Sequence, residues 1–132
     1  MTVLNLTQHP ATPDQVEAGV VEPPDKALVQ RLLTFDEIPD PVEIATRAFA
    51  LADIAAEYAD YHHVDAVMIG GAPYLMSALE AALKAVDIQP VYAFTRRDVV
   101  ERVQPDGSVA KIAVFRFAGW VRPWPYGEGE EE

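Results

Sequence analysis

Cysteine is missing from this chain altogether. That excludes disulfides, zinc ribbons and thiol nucleophiles, and leaves any catalysis to hydroxyls, imidazoles, carboxylates, amines or guanidinium groups. No apolar run approaches the ~20 residues that cross a bilayer, and the first residues lack the basic start and apolar stretch of a signal peptide. A cytoplasmic protein without membrane contact is therefore expected. Positive charge is scarce too, since 10 Lys and Arg against 21 Asp and Glu give a net charge of −11. Proteins that hold long nucleic acid present a basic face, so no long nucleic acid is expected as a partner.

Half of the 132 residues are apolar, enough for one domain burying about two-thirds of its unfolded surface. That domain is expected over 1–126, followed by a solvated acidic tail over 127–132. Six of the 10 basic residues (Arg96, Arg97, Arg102, Lys111, Arg116, Arg122) fall between positions 96 and 122, against Asp98, Glu101 and Asp106. This locally positive segment could hold a small anion on an acidic protein, or its charges could simply alternate outward from strands.

The most informative stretch is Asp65-Ala-Val-Met-Ile-Gly70-Gly71-Ala72-Pro73-Tyr74. An apolar run of strand length, Val64 to Ile69, enters a glycine turn, and Pro73 suits the first turn of a helix. The free N–H groups and positive dipole end of such a helix favour a phosphate or carboxylate. The stretch is neither a dinucleotide fingerprint nor a P-loop, and a bare structural turn is the more frequent explanation for two glycines.

Other elements follow from local pattern. Val3 to Thr7 alternates like a strand and stops at Gln8-His9-Pro10. Thr12 and Gln15 form a capping box for a short helix that Gly19 ends. Val20 to Pro24 reads as a connection, Lys26 to Leu33 has helical spacing, and Phe35 and Ile38 read as anchors beneath a proline-bounded loop. Asp40-Pro41-Val42-Glu43 opens the clearest helix, expected to run to about Tyr58. A helix over Tyr74 to Val86 and a strand over Val91 to Phe94 complete a strand–helix–strand crossover, which places Thr7, His9, Gly70, Gly71, Thr95 and Arg96 at the carboxyl edge of a parallel sheet. Val99 to Gln104 and Ser108 to Phe115 flank Pro105-Asp106-Gly107 and predict an antiparallel hairpin. Trp120, Trp124 and Tyr126 sit among prolines beyond it. The expected fold is a Rossmann-like three-layer α/β sandwich with a mainly parallel sheet and a C-terminal β-hairpin. Tyr61-His62-His63 is read as a polar loop, because adjacent histidines point apart and no acid stands at ligand spacing; neither metal nor cofactor is expected.

The residues at that edge resemble the small stand-alone CRISPR-associated ring nucleases of Rossmann-like (CARF-type) fold. The resemblance rests on Thr7-Gln8-His9-Pro10, on Met68-Ile-Gly-Gly-Ala-Pro-Tyr74, on Pro90-Val-Tyr-Ala-Phe-Thr-Arg-Arg97 followed by Glu101, and on the hairpin through Asp106-Gly107 into Val114-Phe115-Arg116. The chain departs from the pattern at Phe117, where a histidine is common, and at Phe94, where a small hydroxylic residue is. The resemblance implies recognition of a cyclic oligoadenylate, most often the tetra-adenylate, across a homodimer. It also implies metal-independent cleavage to linear products ending in 2′,3′-cyclic phosphate, which switches off type III CRISPR signalling.

In that reaction a ribose 2′-hydroxyl attacks its own adjacent phosphate, so the protein has to align the ligand, move a proton and stabilise charge. The assignments are His9 as general base or acid, Thr7 orienting a phosphate or ribose oxygen, and Arg97 as a phosphate-binding cation. Gln8, Gly70, Gly71, Ala72, Tyr74, Thr95 and Arg96 would contact the ligand. Two other classes stand beside this one: a sensor or sink that binds the messenger without cutting it, and an interaction module that uses the aromatic C-terminal segment.

Overall fold

A computed structural model describes residues 1–124. The elements in chain order are β1 (Val3–Leu6), α1 (Pro13–Glu17), β2 (Val20–Val21), α2 (Lys26–Leu33), α3 (Pro41–Tyr61), β3 (Ala66–Ile69), α4 (Pro73–Ala85), β4 (Pro90–Val103) and β5 (Val109–Val121). They form one five-stranded sheet in the order β2-β1-β3-β4-β5. The first four strands run parallel and β5 returns antiparallel to β4. This is the expected α/β sandwich with a C-terminal hairpin.

The helix caps follow the sequence signals. Thr12 and Gln15 form the reciprocal capping box of α1, and Asp40 accepts from the Glu43 N–H at the start of α3 with Pro41 in its first turn. The α3 helix continues three residues beyond the expected end, to Tyr61, where His62 closes it and stacks on Tyr58. His63 pairs with Asp65 at 2.8 Å, and no three His, Asp or Glu side chains converge as a metal site among the described residues. No described helix is long and apolar enough to cross a membrane.

Side-chain alternation along the strands divides the core between the two faces of the sheet. Leu4, Leu6, Val67 and Ile69 pack against α2, α3 and α4. Val3, Val20, Ala66, Met68 and Val91 form a smaller cluster on the opposite face, flanked by Ala11, Ala93 and Trp120. The layers are therefore unequal, with three helices on one side and only the short α1 element on the other. Both flanks of β1 are occupied, so Val3 to Leu6 is buried throughout, Asn5 included.

Several expectations change. Val20–Val21 is not a connection but an edge strand, because Val3 and Leu4 offer it a parallel ladder. Phe35 is anchored, with its ring edge-on to Tyr74 at 5.3 Å and the Arg47 guanidinium 4.2 Å over it. Ile38 is not an anchor, since it is 98% exposed. The strand begun at Val91 does not stop at Phe94. It continues without interruption to Val103, paired residue for residue with β5 apart from one irregularity at Phe94/Thr95, and Trp120 lies within β5. Residues 95–118 thus form a two-stranded arm extending about 30 Å past the carboxyl edge of the parallel strands. Tyr126 and the acidic tail lie outside the described residues.

Gly19 marks a close approach between α1 and the chain start. Its φ is +105°, and a Cβ there would lie 2.0 Å from the Met1 carbonyl oxygen. Its own carbonyl accepts from the Val3 N–H at 3.0 Å, so the contact cannot open without loosening β1. Gly19→Ala is expected to cost roughly 2 kcal/mol or more and to lower Tm by about 8 °C or more in thermal unfolding. Gly70→Ala, whose added Cβ would meet Thr7 Cγ2 at an ordinary 3.7 Å, is the matched control and should change stability far less.

Candidate functional site

The chain leaves β1 toward β2 on one side and leaves β3 toward β4 on the other. In open parallel sheets such a reversal of direction opens a crevice at the carboxyl ends of the two strands, and ligands bind there. Here the crevice measures about 630 Å³, and its walls are Thr7 to Pro10, Thr12 and Gln15 of α1, Met68 to Gly71, and Tyr92-Ala93. That volume suits a small-molecule ligand.

The wall formed by the turn after β1 is held by a dense set of hydrogen bonds. Asn5, fully buried, accepts at Oδ1 from the Thr7 N–H (2.9 Å) and the Thr7 hydroxyl (2.7 Å). Its amide nitrogen donates to the His9 carbonyl (2.9 Å) and to the Glu22 carboxylate (3.1 Å). Glu22 in turn accepts from the Ala11 N–H at 2.7 Å and faces Lys26 at 3.4 Å. Lys26 Nζ donates to the carbonyls of Thr7 (2.7 Å) and His9 (3.1 Å). With its carbonyl anchored by two donors, the His9 backbone is fixed while the residue stays exposed on the crevice wall.

Burial pushes the Glu22 carboxyl up. The Ala11 N–H, the Asn5 amide and Lys26 more than offset this and hold it below its ordinary 4.5. Opposite, Tyr92 donates its hydroxyl to Glu80 at 2.6 Å. Burial, then that hydrogen bond and the Glu80 charge, raise its pKa further above the ordinary phenol value, so it stays protonated and is no base.

On the second wall Gly71 has φ +154° and α4 starts at Pro73, with Ala72 as an N-cap that has no side-chain oxygen to offer. Its amide end is therefore not satisfied by a cap side chain.

Of the residues expected from sequence, Thr7, Gln8, His9, Gly70 and Gly71 come together in the crevice, and Ala72 follows them at the start of α4. The Gln8 amide is occupied elsewhere, donating to Leu33 O (3.2 Å) and Thr34 Oγ1 (3.0 Å). Tyr74 lies apart, in a 500 Å³ hollow with Phe35, Asp36, Glu37 and Ile38, whose two acids disfavour an anion. Thr95, Arg96 and Arg97 do not end a strand at the edge; they sit inside the arm, opposite Phe117, Arg116 and Phe115. Alternation separates the two arginines. Arg97 shares the face of Ala93, a crevice residue about 13 Å below it, whereas Arg96 shares the face of Tyr92 and α4. Arg97 and Glu101 are likewise about 13 Å apart along the extended strand. Asp98 instead pairs with Arg116 at 3.2 Å.

Asn5, Glu22 and Lys26 were not singled out from sequence. The available signal was an amide in the middle of an otherwise apolar strand, which in a central strand must find buried partners. Asn5→Ala should leave the Thr7 N–H without its partner, cost about 3 kcal/mol and speed amide exchange at Thr7 and Ala11. Unchanged exchange there would show that the turn is held by something else. Because the Glu22 pKa is lowered on folding, its contribution is present above pH 4.5 and lost as pH falls through the lower folded value. The Ala11 amide should lose protection over that range in the native protein and show no such step in Glu22→Gln.

Comparison with curated proteins and with solved structures gives no match. Residues 1–121 match the family described as "Uncharacterized protein MJ1673 family". The match takes in both crevice walls and the whole arm, and the chain belongs to the MJ1673 family.

Proposed function

We propose that the crevice between the ends of β1 and β3 binds a cyclic oligoadenylate, with cyclic tetra-adenylate the first choice, and opens it by attack of a ribose 2′-hydroxyl on the adjacent phosphate. The observation that carries this reading is the meeting, in one crevice, of His9 and Thr7 on one wall with the Gly70-Gly71 turn and the amide end of α4 on the other. Amide groups there can receive a phosphate oxygen. The rigid turn holds His9 where an imidazole can take the 2′-proton or deliver one to the leaving 5′-oxygen. Thr7 Oγ1, fixed by its bond to Asn5, supports phosphate or ribose orientation through its lone pairs.

One feature favours a sensor or sink as the second reading: among the described residues, no Lys or Arg lines the crevice. A phosphorane charge formed there would depend on amides and on a cation reaching in from the rim, and Arg97 on the arm is the candidate. Incubation with cyclic tetra-adenylate in EDTA, followed by chromatography and mass spectrometry, is expected to yield linear di-adenylate with a cyclic phosphate end. His9→Ala should slow single-turnover cleavage ~100-fold or more. An unchanged rate in that variant removes His9 from the chemistry, and bound but intact ligand assigns the protein to the second reading.

A further inference from the structure

A second cavity, of about 420 Å³, lies between the first turn of α2 and the last two turns of α3. It shares no residue with the crevice. Ile54, Glu57, Tyr58, Tyr61 and His62 recur at helical spacing, so α3 turns one face to the cavity, and Asp25 and Leu28 line it from α2. The volume suits a small molecule, and most of the wall is aromatic or aliphatic, as in ligand pockets generally. Tyr58 is half-buried, its ring stacked on His62 at 4.2 Å and 13°. Core packing accounts for Tyr58 and Ile54, which lie against the main apolar cluster. It does not account for Tyr61, a ring on the cavity wall that is 81% exposed.

The charge on this wall is of one sign. Asp25 and Glu57 line the cavity, and among the described residues no Lys or Arg does. Asp25 spends one oxygen on the Leu28 N–H at 3.1 Å and so caps the amide end of α2. Glu57 has no hydrogen-bond or ion-pair partner among the described residues. Lys26, next to Asp25 in the chain, turns its ammonium away to the Thr7 and His9 carbonyls. The carbonyl end of α3 deepens the negative potential. Its last turn carries no basic residue, and Glu57 and Asp60 stand where a helix favours cations. We infer that this cavity binds a small organic cation, an ammonium group carried on an apolar body. The Tyr61 ring offers the cation a π face. Glu57 and the second oxygen of Asp25 neutralise it, and Leu28 and Ile54 receive the apolar body. An anion is repelled here, and a neutral apolar molecule leaves both carboxylates unanswered. The net charge of −11 draws cations toward the protein from a distance. No crevice residue takes part, so the site is independent of whatever the crevice binds.

Titration with choline, followed through backbone amide resonances, is expected to give saturable shifts at Asp25, Leu28 and Glu57 to His62. Its neutral isostere 3,3-dimethylbutan-1-ol should bind at least about tenfold more weakly. Phenethylamine, a primary ammonium on an aromatic body, should compete with choline. Tyr61→Ala and Glu57→Gln, both at exposed positions, should each weaken choline about fivefold or more. Asp53→Asn, on the same helix outside the cavity, should leave binding unchanged. If Tyr61→Ala fails to fold, Glu57→Gln keeps the ring and gives the same reading. Absence of saturable shifts with both cations overturns the inference. So does an isostere that binds as tightly as choline, or choline binding indifferent to both substitutions. Cyclic tetra-adenylate should leave these resonances in place, and its failure to bind the crevice has no bearing on them.

Discussion

A buried amide at the centre of β1 is the constraint on which the site depends. Asn5 lies in a strand flanked on both sides, where no water is available to its four hydrogen-bonding positions. Burial of such a group is costly unless each position is matched, and the turn after β1 supplies the match. The Thr7 N–H and hydroxyl, the His9 carbonyl and the Glu22 carboxylate are all drawn to one side chain. The same bonds that satisfy Asn5 fix the backbone from Thr7 to Ala11. The crevice wall is thus rigid for reasons that begin in the core, and rigidity of this kind lets a loop position a reacting group.

Sheet topology does the rest. The reversal of direction between β1 and β3 keeps the crevice open, and the two walls differ in character. One is a turn fixed by side chains; the other is a glycine turn leading into a helix whose cap residue is alanine. The first offers an imidazole and a hydroxyl, the second offers amides. An anion bridging them would be met by polar groups already in place, so little ordering would accompany binding.

Much of the fold is legible in local chemistry. Capping residues, Pro41 and Pro73, and the Asp106-Gly107 turn each act within a few residues, and each element they predict is present. Long-range effects are less legible. Val20–Val21 pairs as a strand because β1 lies beside it, which its own two residues do not announce. The unbroken run of β4 through Thr95, Arg96 and Arg97 is imposed by pairing with β5, and it moves those residues from the predicted edge into an arm. The crevice residues Thr7, His9, Gly70 and Gly71 were accessible because they directly follow apolar runs. Glu22 and Lys26 were not, since their role exists only once β2 and α2 are folded against the first turn.

The most direct test of the account is to follow backbone amide resonances while cyclic tetra-adenylate is added to the protein in EDTA. Saturable shifts concentrated at Thr7 to Ala11 and at Gly70 to Ala72 are the predicted result, with Arg97 the arm residue most affected. Shifts confined to the Phe35–Tyr74 hollow, or no saturable shift anywhere in the crevice, would contradict the assignment of the β1–β3 crevice as the ligand site.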